Sequence, residues 1–103
     1  MKKIGTSFEQ IVNTIPSDIK LEVELEFAIS NRLFSLLNNR GLSKIELAKS
    51  LGKRPSEVTK WLSGQHNFTL RTISMLSAFF GEPLIQVYND DNNHLLESVH
   101  HRN

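Results

Sequence analysis

The chain predicts an all-α domain, and three observations carry that prediction. Between Gly41 and Gly81 three short segments repeat apolar residues at helical spacing, each closed by a glycine. A longer segment ahead of Gly41 shows the same period over its second half. After Pro83 a single short run, LIQVY at residues 84–88, has a length and composition suited to a strand, too little to make a sheet alone. With 103 residues, 39% of them hydrophobic, the chain can bury one modest core without a covalent staple.

Residues 1–16, MKKIGTSFEQIVNTIP, read as an arm in which Phe8, Ile11, Val12 and Ile15 share a helical face until Pro16 breaks it. Ser17 and Asp18 suit the N-cap of the next segment, which runs to Asn39 or Arg40 and meets Gly41 as its C′ glycine. The start of this segment carries two competing periods. Ile19, Leu21, Val23, Leu25 and Phe27 alternate with other residues as a strand would, whereas Leu25, Ile29, Leu33 and Leu36 or Leu37 follow a helix. Helix is predicted from Leu25 and is favoured over strand for residues 17–24.

The first short segment, Ser43 to Leu51, turns Leu47, Ala48 and Leu51 inward; Ser43 can cap it, with Glu46 completing a capping box. Gly52 ends it. The second, Pro55 to Ser63, starts with a proline whose missing N–H costs nothing in a first turn, and directs Val58, Trp61 and Leu62 inward. On that side Trp61 reads as core rather than as a stacking platform. The third runs from Thr69 to Phe80 with Leu70, Ile73, Leu76 and Phe80 at helical spacing and Gly81 as its stop.

A strand at 84–88 would need a pairing partner, which a helical domain finds most simply in a second copy of itself or in another protein. Phe79, Leu84, Ile85, Val87 and Tyr88 are therefore the expected dimer contact. The chain divides into the arm 1–16, a helical domain 17–82, and a strand with a polar tail over 83–103.

Composition excludes several functions. Cysteine is absent, so disulfides, thiolate metal sites and a cysteine nucleophile are impossible. No apolar run approaches the roughly 20 residues that cross a bilayer, and polar residues follow Met1–Gly5, which predicts a soluble, cytoplasmic protein. His94, His100 and His101 lack carboxylates at ligand spacing and read as tail rather than as a metal site. No catalytic pair or phosphate-cradling glycine loop is visible, so neither an enzyme nor a cofactor is expected.

The net charge of +1 conceals an uneven distribution: residues 42–71 carry six Lys/Arg against two Asp/Glu, and residues 72–103 carry one against four. A polyanion would need a footprint of this kind, although a solvated face would look the same. What separates the two is the joint between the first two short helices. Ala48 lets the second helix approach, Gly52 permits a turn with positive φ, and Val58 and Trp61 close the core from the second helix. This is the spacing of a helix-turn-helix.

Residues 42–81, LSKIELAKSLGKRPSEVTKWLSGQHNFTLRTISMLSAFFG, resemble the lambda-repressor-like, Cro/C1-type (XRE) helix-turn-helix family, and within it HigA-like antitoxins. The resemblance implies a bundle of about five helices that binds double-stranded DNA. It makes Pro55–Ser63 the recognition helix, presenting Arg54, Ser56, Thr59 and Lys60 to base edges in the major groove while Pro55 contributes shape and apolar contact. Ser43 and Lys44, Lys53, then Gln65, His66, Asn67 and Arg71 become expected phosphate contacts, with Lys49 a weaker candidate. Asn67 reads equally as a residue that structures its loop.

Pro55 stands where phage repressors of the family often place a base-reading polar side chain, and Trp61-Leu62-Ser63 replaces a commoner aromatic-acidic-Asn sequence. The implied function is a transcriptional regulator, a repressor that binds a palindromic operator as a homodimer. The alternative is an antitoxin that neutralises a toxin protein through the arm 1–24 or the tail 89–103 and regulates its own operon.

Overall fold

A computed structural model describes residues 14–88, which form four helices: α1 (Ser17–Arg40), α2 (Lys44–Leu51), α3 (Pro55–Trp61) and α4 (Leu70–Phe80). Most of the arm, with Phe8, Ile11 and Val12 of its helical face, and the tail 89–103, with its histidines, lie outside the described residues. The expected fifth helix is not among the four whose bounds fall within the described residues.

Helix α1 is one unbroken helix of 24 residues, so the period-two stretch from Ile19 to Phe27 is helical. Its N-cap is Pro16 rather than Ser17 or Asp18; the Pro16 carbonyl accepts from the Ile19 and Lys20 N–H groups, and no side chain caps the end. The helix stops at Gly41, φ 64°, where the Gly41 and Leu42 N–H groups donate back to the Asn38 and Leu37 carbonyls. The left-handed conformation makes glycine the fitting residue there.

The expected capping box of α2 is fully formed. Ser43 Oγ accepts from the Glu46 N–H at 3.1 Å while Glu46 Oε1 accepts from the Ser43 N–H at 2.8 Å. Gly52, φ 68°, lets Lys53 N–H donate to the Ala48 carbonyl at 2.8 Å and sends the chain into α3. Pro55 opens α3 in its first turn, and Glu57 Oε2 accepts from the Arg54 N–H at 3.2 Å. α3 ends at Trp61, two residues before Ser63. Thr69 caps α4 through its side-chain oxygen, which accepts from the Thr72 N–H.

The core joins all four helices. Leu33, Leu36 and Leu37 come from α1, Leu47 and Ala48 from α2, Val58 and Trp61 from α3, and Ile73, Leu76 and Phe80 from α4, with Leu84 closing it. Trp61 is thus core, as its side of the helix implied. Leu70 and Leu25, which helical spacing placed inward, are instead 77% and 58% exposed. Leu70 occupies the first turn of α4, before that helix reaches the core, and Leu25 sits on the half of α1 that buries nothing.

Residues 84–88 form no strand. The Leu84 N–H donates to the buried Ser77 Oγ at 2.9 Å, which ties the segment to α4. Upstream, Arg32 donates to the Pro83 carbonyl and pairs with Glu82 at 3.4 Å, while Arg40 donates to the Phe80 carbonyl and pairs with Glu82 at 3.1 Å. Arg40 also lies 5.5 Å from the centre of the Phe80 ring. The chain after α4 is held by side chains of α1 and α4 in place of a strand partner. Glu82, receiving a hydrogen bond from Arg40 and facing Arg32, is held below the ordinary carboxylate range.

Candidate nucleic-acid interface

Helix α3 has two unlike faces. Val58 is fully buried and Trp61 nearly so, whereas Pro55, Ser56, Thr59 and Lys60, together with Arg54 at the N-cap, are exposed. The five expected base-facing residues therefore share one short, solvent-facing element that the core presses outward. Placement depends on the buried side: α3 packs through Val58 and Trp61 against the Leu47 and Ala48 side of α2, and the Gly52 turn sets the approach.

The far end of α3 is tied to α1 by one hydroxyl that the sequence did not single out. Buried Ser30 Oγ donates to the Trp61 carbonyl at 2.6 Å and accepts from the Gly64 N–H at 3.1 Å. Gly64 has φ 84°, and a Cβ there would lie 2.8 Å from the Phe27 ring. The loop leaving α3 is thus clamped between a hydroxyl and an aromatic ring of α1. A mid-helix serine gives no hint of this role, because its partners lie 31 and 34 residues away.

That loop brings several expected phosphate contacts beside the base-facing set. Lys53, Lys60, His66 and Asn67 line one cleft of about 280 Å³, with Trp61 at its inner wall and Glu57, Thr69 and Thr72 around it. His66 stands edge-on to Phe68 with ring centres 4.8 Å apart. Asn67 Nδ2 donates to Glu22 Oε2 at 3.5 Å, which gives the side chain a loop-structuring partner on α1. The exposed Gln65 N–H donates to Ser63 Oγ.

Other members of the expected set stand apart from the cleft. Arg71 is exposed beside Leu70, Ser74 and Met75. Ser43 and Lys44 lie at the start of α2, where the capping box already uses the Ser43 and Glu46 N–H groups, so Lys44 and Ile45 keep the free N–H donors of that turn. Glu46 is held below the ordinary carboxylate range, first by the Ser43 N–H and then by the Ser43 hydroxyl, and so stays anionic beside those donors.

Electrostatically the surface divides cleanly. Among the described residues Arg32 and Arg40 are committed to Glu82, whereas Lys44, Lys49, Lys53, Arg54, Lys60 and Arg71 are exposed and form no ion pair. Every cation within residues 42–71 is available to an external anion. Among the described residues no group of His, Asp and Glu is arranged to hold a metal ion. No helix of the described residues is long and apolar enough to cross a membrane.

The expected dimer residues fare differently. Leu84 is 3% exposed and belongs to the protomer's own core, so it is not free to meet a second chain. Ile85 is half-buried, while Phe79, Val87 and Tyr88 remain at the surface.

A four-helix core that presents a short exposed helix, preceded by Lys53 and Arg54 and positioned by a glycine turn on its predecessor, defines a DNA-binding domain of the helix-turn-helix class. The family model described as helix-turn-helix matches residues 33–87, just over half of the chain, and the chain belongs to that family, in its XRE type. No curated protein and no solved structure matches the chain. The match covers the second half of α1 through the segment after α4 and leaves the first half of α1 outside it.

Proposed function

We propose that this DNA-binding regulator of the XRE type is a sequence-specific repressor that binds a palindromic operator as a homodimer in the cytoplasm. The observation that supports this most directly is the pairing, on one exposed element, of base-facing residues with cations free of internal partners. Arg54 and Lys60 would donate to guanine O6 and N7, and Ser56 and Thr59 would bond base edges or touch a thymine methyl. Pro55 would supply shape. Lys53, His66, Asn67, Gln65, Arg71 and the Ser43–Lys44 turn would engage phosphates and fix the register.

One such unit reads only a few base pairs, so two are needed, their half-sites about 34–36 Å apart. Phe79, Val87 and Tyr88 are the exposed residues we assign to the dimer contact. The antitoxin reading draws on a different surface: Ile19, Val23, Phe27 and Phe34 form a stripe on α1, each 45% exposed or more, that a toxin protein could cover.

Fluorescence anisotropy on the DNA upstream of its own gene, over a range of salt concentrations, tests the leading reading. Binding should fall steeply with salt, and Lys60→Ala should weaken binding to that DNA by about ten-fold or more while weakening random DNA less. Equal losses on both would make Lys60 a phosphate contact. An unchanged variant would remove α3 from the reading surface and turn the search to a protein partner.

A further inference from the structure

The first half of α1 borders a groove whose rim includes His66 and Asn67 of the DNA-binding loop but whose apolar lining has no part in the DNA-binding reading. Leu21, Leu25 and Ile29 line one side, Phe68, Ile73 and Ile85 the other, enclosing about 490 Å³. Leu21 and Leu25 are each 58% exposed. Leucines placed along an open groove leave apolar area in water, which favours an occupant.

We propose that this groove receives the arm of the same chain, residues 1–13, laid antiparallel to α1 with Phe8, Ile11 and Val12 against Leu21, Leu25 and Ile29. Connection is the first argument. The groove begins at Asp18, and the arm joins α1 through Pro16, whose φ of −56° and ψ of 144° are extended and let the chain turn away from the helix axis. Length is the second: Ile4 to Ile15 contains as many residues as Asp18 to Ile29, about 16 Å if both are helical. Spacing is the third, since Phe8, Ile11, Val12 and Ile15 recur at helical intervals, as Leu21, Leu25 and Ile29 do.

Charge selects the arm over a second copy. Residues 17–29 hold Asp18, Glu22, Glu24 and Glu26 against Lys20, and of these Asp18, Glu22 and Glu26 stand at the groove. Two such segments facing each other would repel. The arm carries Lys2 and Lys3 against Glu9, the opposite sign.

The absence of cysteine allows a direct test on the full chain. Phe8→Cys combined with Leu25→Cys should close an intramolecular disulfide under mild oxidation at least about ten-fold faster than Phe8→Cys combined with Val23→Cys, whose second site lies on the other stripe. Equal rates would overturn the proposal, and a bond formed mainly between chains would give the groove to a second copy.

Amide exchange on Phe8→Asp, which contains no cysteine, provides a separate check. Exchange across residues 21–29 should speed by about ten-fold while residues 33–37 keep their protection, which shows the core still folded. Unchanged exchange across 21–29 would leave the groove to a separate protein and overturn the assignment.

Discussion

The two halves of α1 share one helix and obey different rules. From Ser30 to Arg40 the helix buries Ser30, Leu33, Leu36 and Leu37, whereas from Ser17 to Ile29 it buries no residue, although Ile19, Leu21, Val23, Leu25 and Phe27 are as apolar as anything in the core. The family match begins at residue 33, inside the buried half. The comparison teaches that the DNA-binding domain accounts for only half of this helix. Apart from Ile29, which packs against the edge of the core, the apolar side chains of the other half have no buried place in it.

The sharpest way to break that comparison is to cut equivalent side chains from each half. Leu33 is fully buried, so Leu33→Ala should cost about 3 kcal/mol through lost transfer energy and the cavity left behind. Val23→Ala, on the exposed stripe, should stay within about 0.5 kcal/mol. Urea unfolding of the two variants measures both. A Val23→Ala loss approaching that of Leu33→Ala would show the first half to be part of the cooperative core.

Ser30 marks the boundary between the halves, and its removal should have the next largest effect. Ser30→Ala leaves the Trp61 carbonyl and the Gly64 N–H without their buried partner, a loss of about 2 kcal/mol. The variant should also loosen the loop that carries His66 and Asn67, so its DNA affinity should drop although Ser30 itself is buried. A calorimetric Tm and an anisotropy titration together check the pair of effects. An unchanged Tm would show that the hydroxyl does not hold α3.

A smaller test concerns a second place, besides the Asn67–Glu22 bond, where the exposed half touches the DNA-binding apparatus. Gly64→Ala meets two obstacles: a left-handed backbone, costing about 1 kcal/mol in any L-residue, and a Cβ 2.8 Å from the Phe27 ring. Adding Phe27→Ala should relieve the second and leave the first, so the double variant should lose less than the two single losses summed. Strict additivity would mean that the ring moves aside without cost.

How much of this was legible in the sequence follows from how local each determinant is. The capping box of Ser43 and Glu46, the Gly41 and Gly52 stops and the proline at the start of α3 each act within a few residues, and each is found where local chemistry placed it. Exposure of Arg54, Ser56, Thr59 and Lys60 was legible for the same reason, because Val58 and Trp61 fix which side of a seven-residue helix is inside.

The period-two reading of residues 19–27 competed with helix because apolar residues lie on two stripes of α1, with Glu22 and Glu26 between them, rather than on one. The strand at 84–88 was suggested by composition alone. The Arg32, Arg40 and Ser77 side chains that hold the neighbouring segment reach across 51, 40 and 7 residues. A periodicity window does not see them.

Those same arginines supply the smallest expected effect and the only one that depends on pH. Glu82 is more acidic in the folded chain than an ordinary glutamate, because Arg40 donates to its carboxylate and Arg32 lies beside it. A carboxyl with a depressed folded-state pKa binds its proton less readily folded than unfolded. Its contribution is therefore complete above the unfolded value, about pH 4, and drains as pH falls through that value and then through the folded one. The pair is partly exposed, so solvent screens it and salt should weaken it further. Glu82→Gln should lower the urea midpoint slightly at pH 7, by less than Ser30→Ala, and the gap from wild type should close on acidification. A gap that persists well below pH 4 would show that glutamine at position 82 costs stability for a reason other than the lost carboxylate charge, since the arginine bonds with the Phe80 and Pro83 carbonyls are common to both chains.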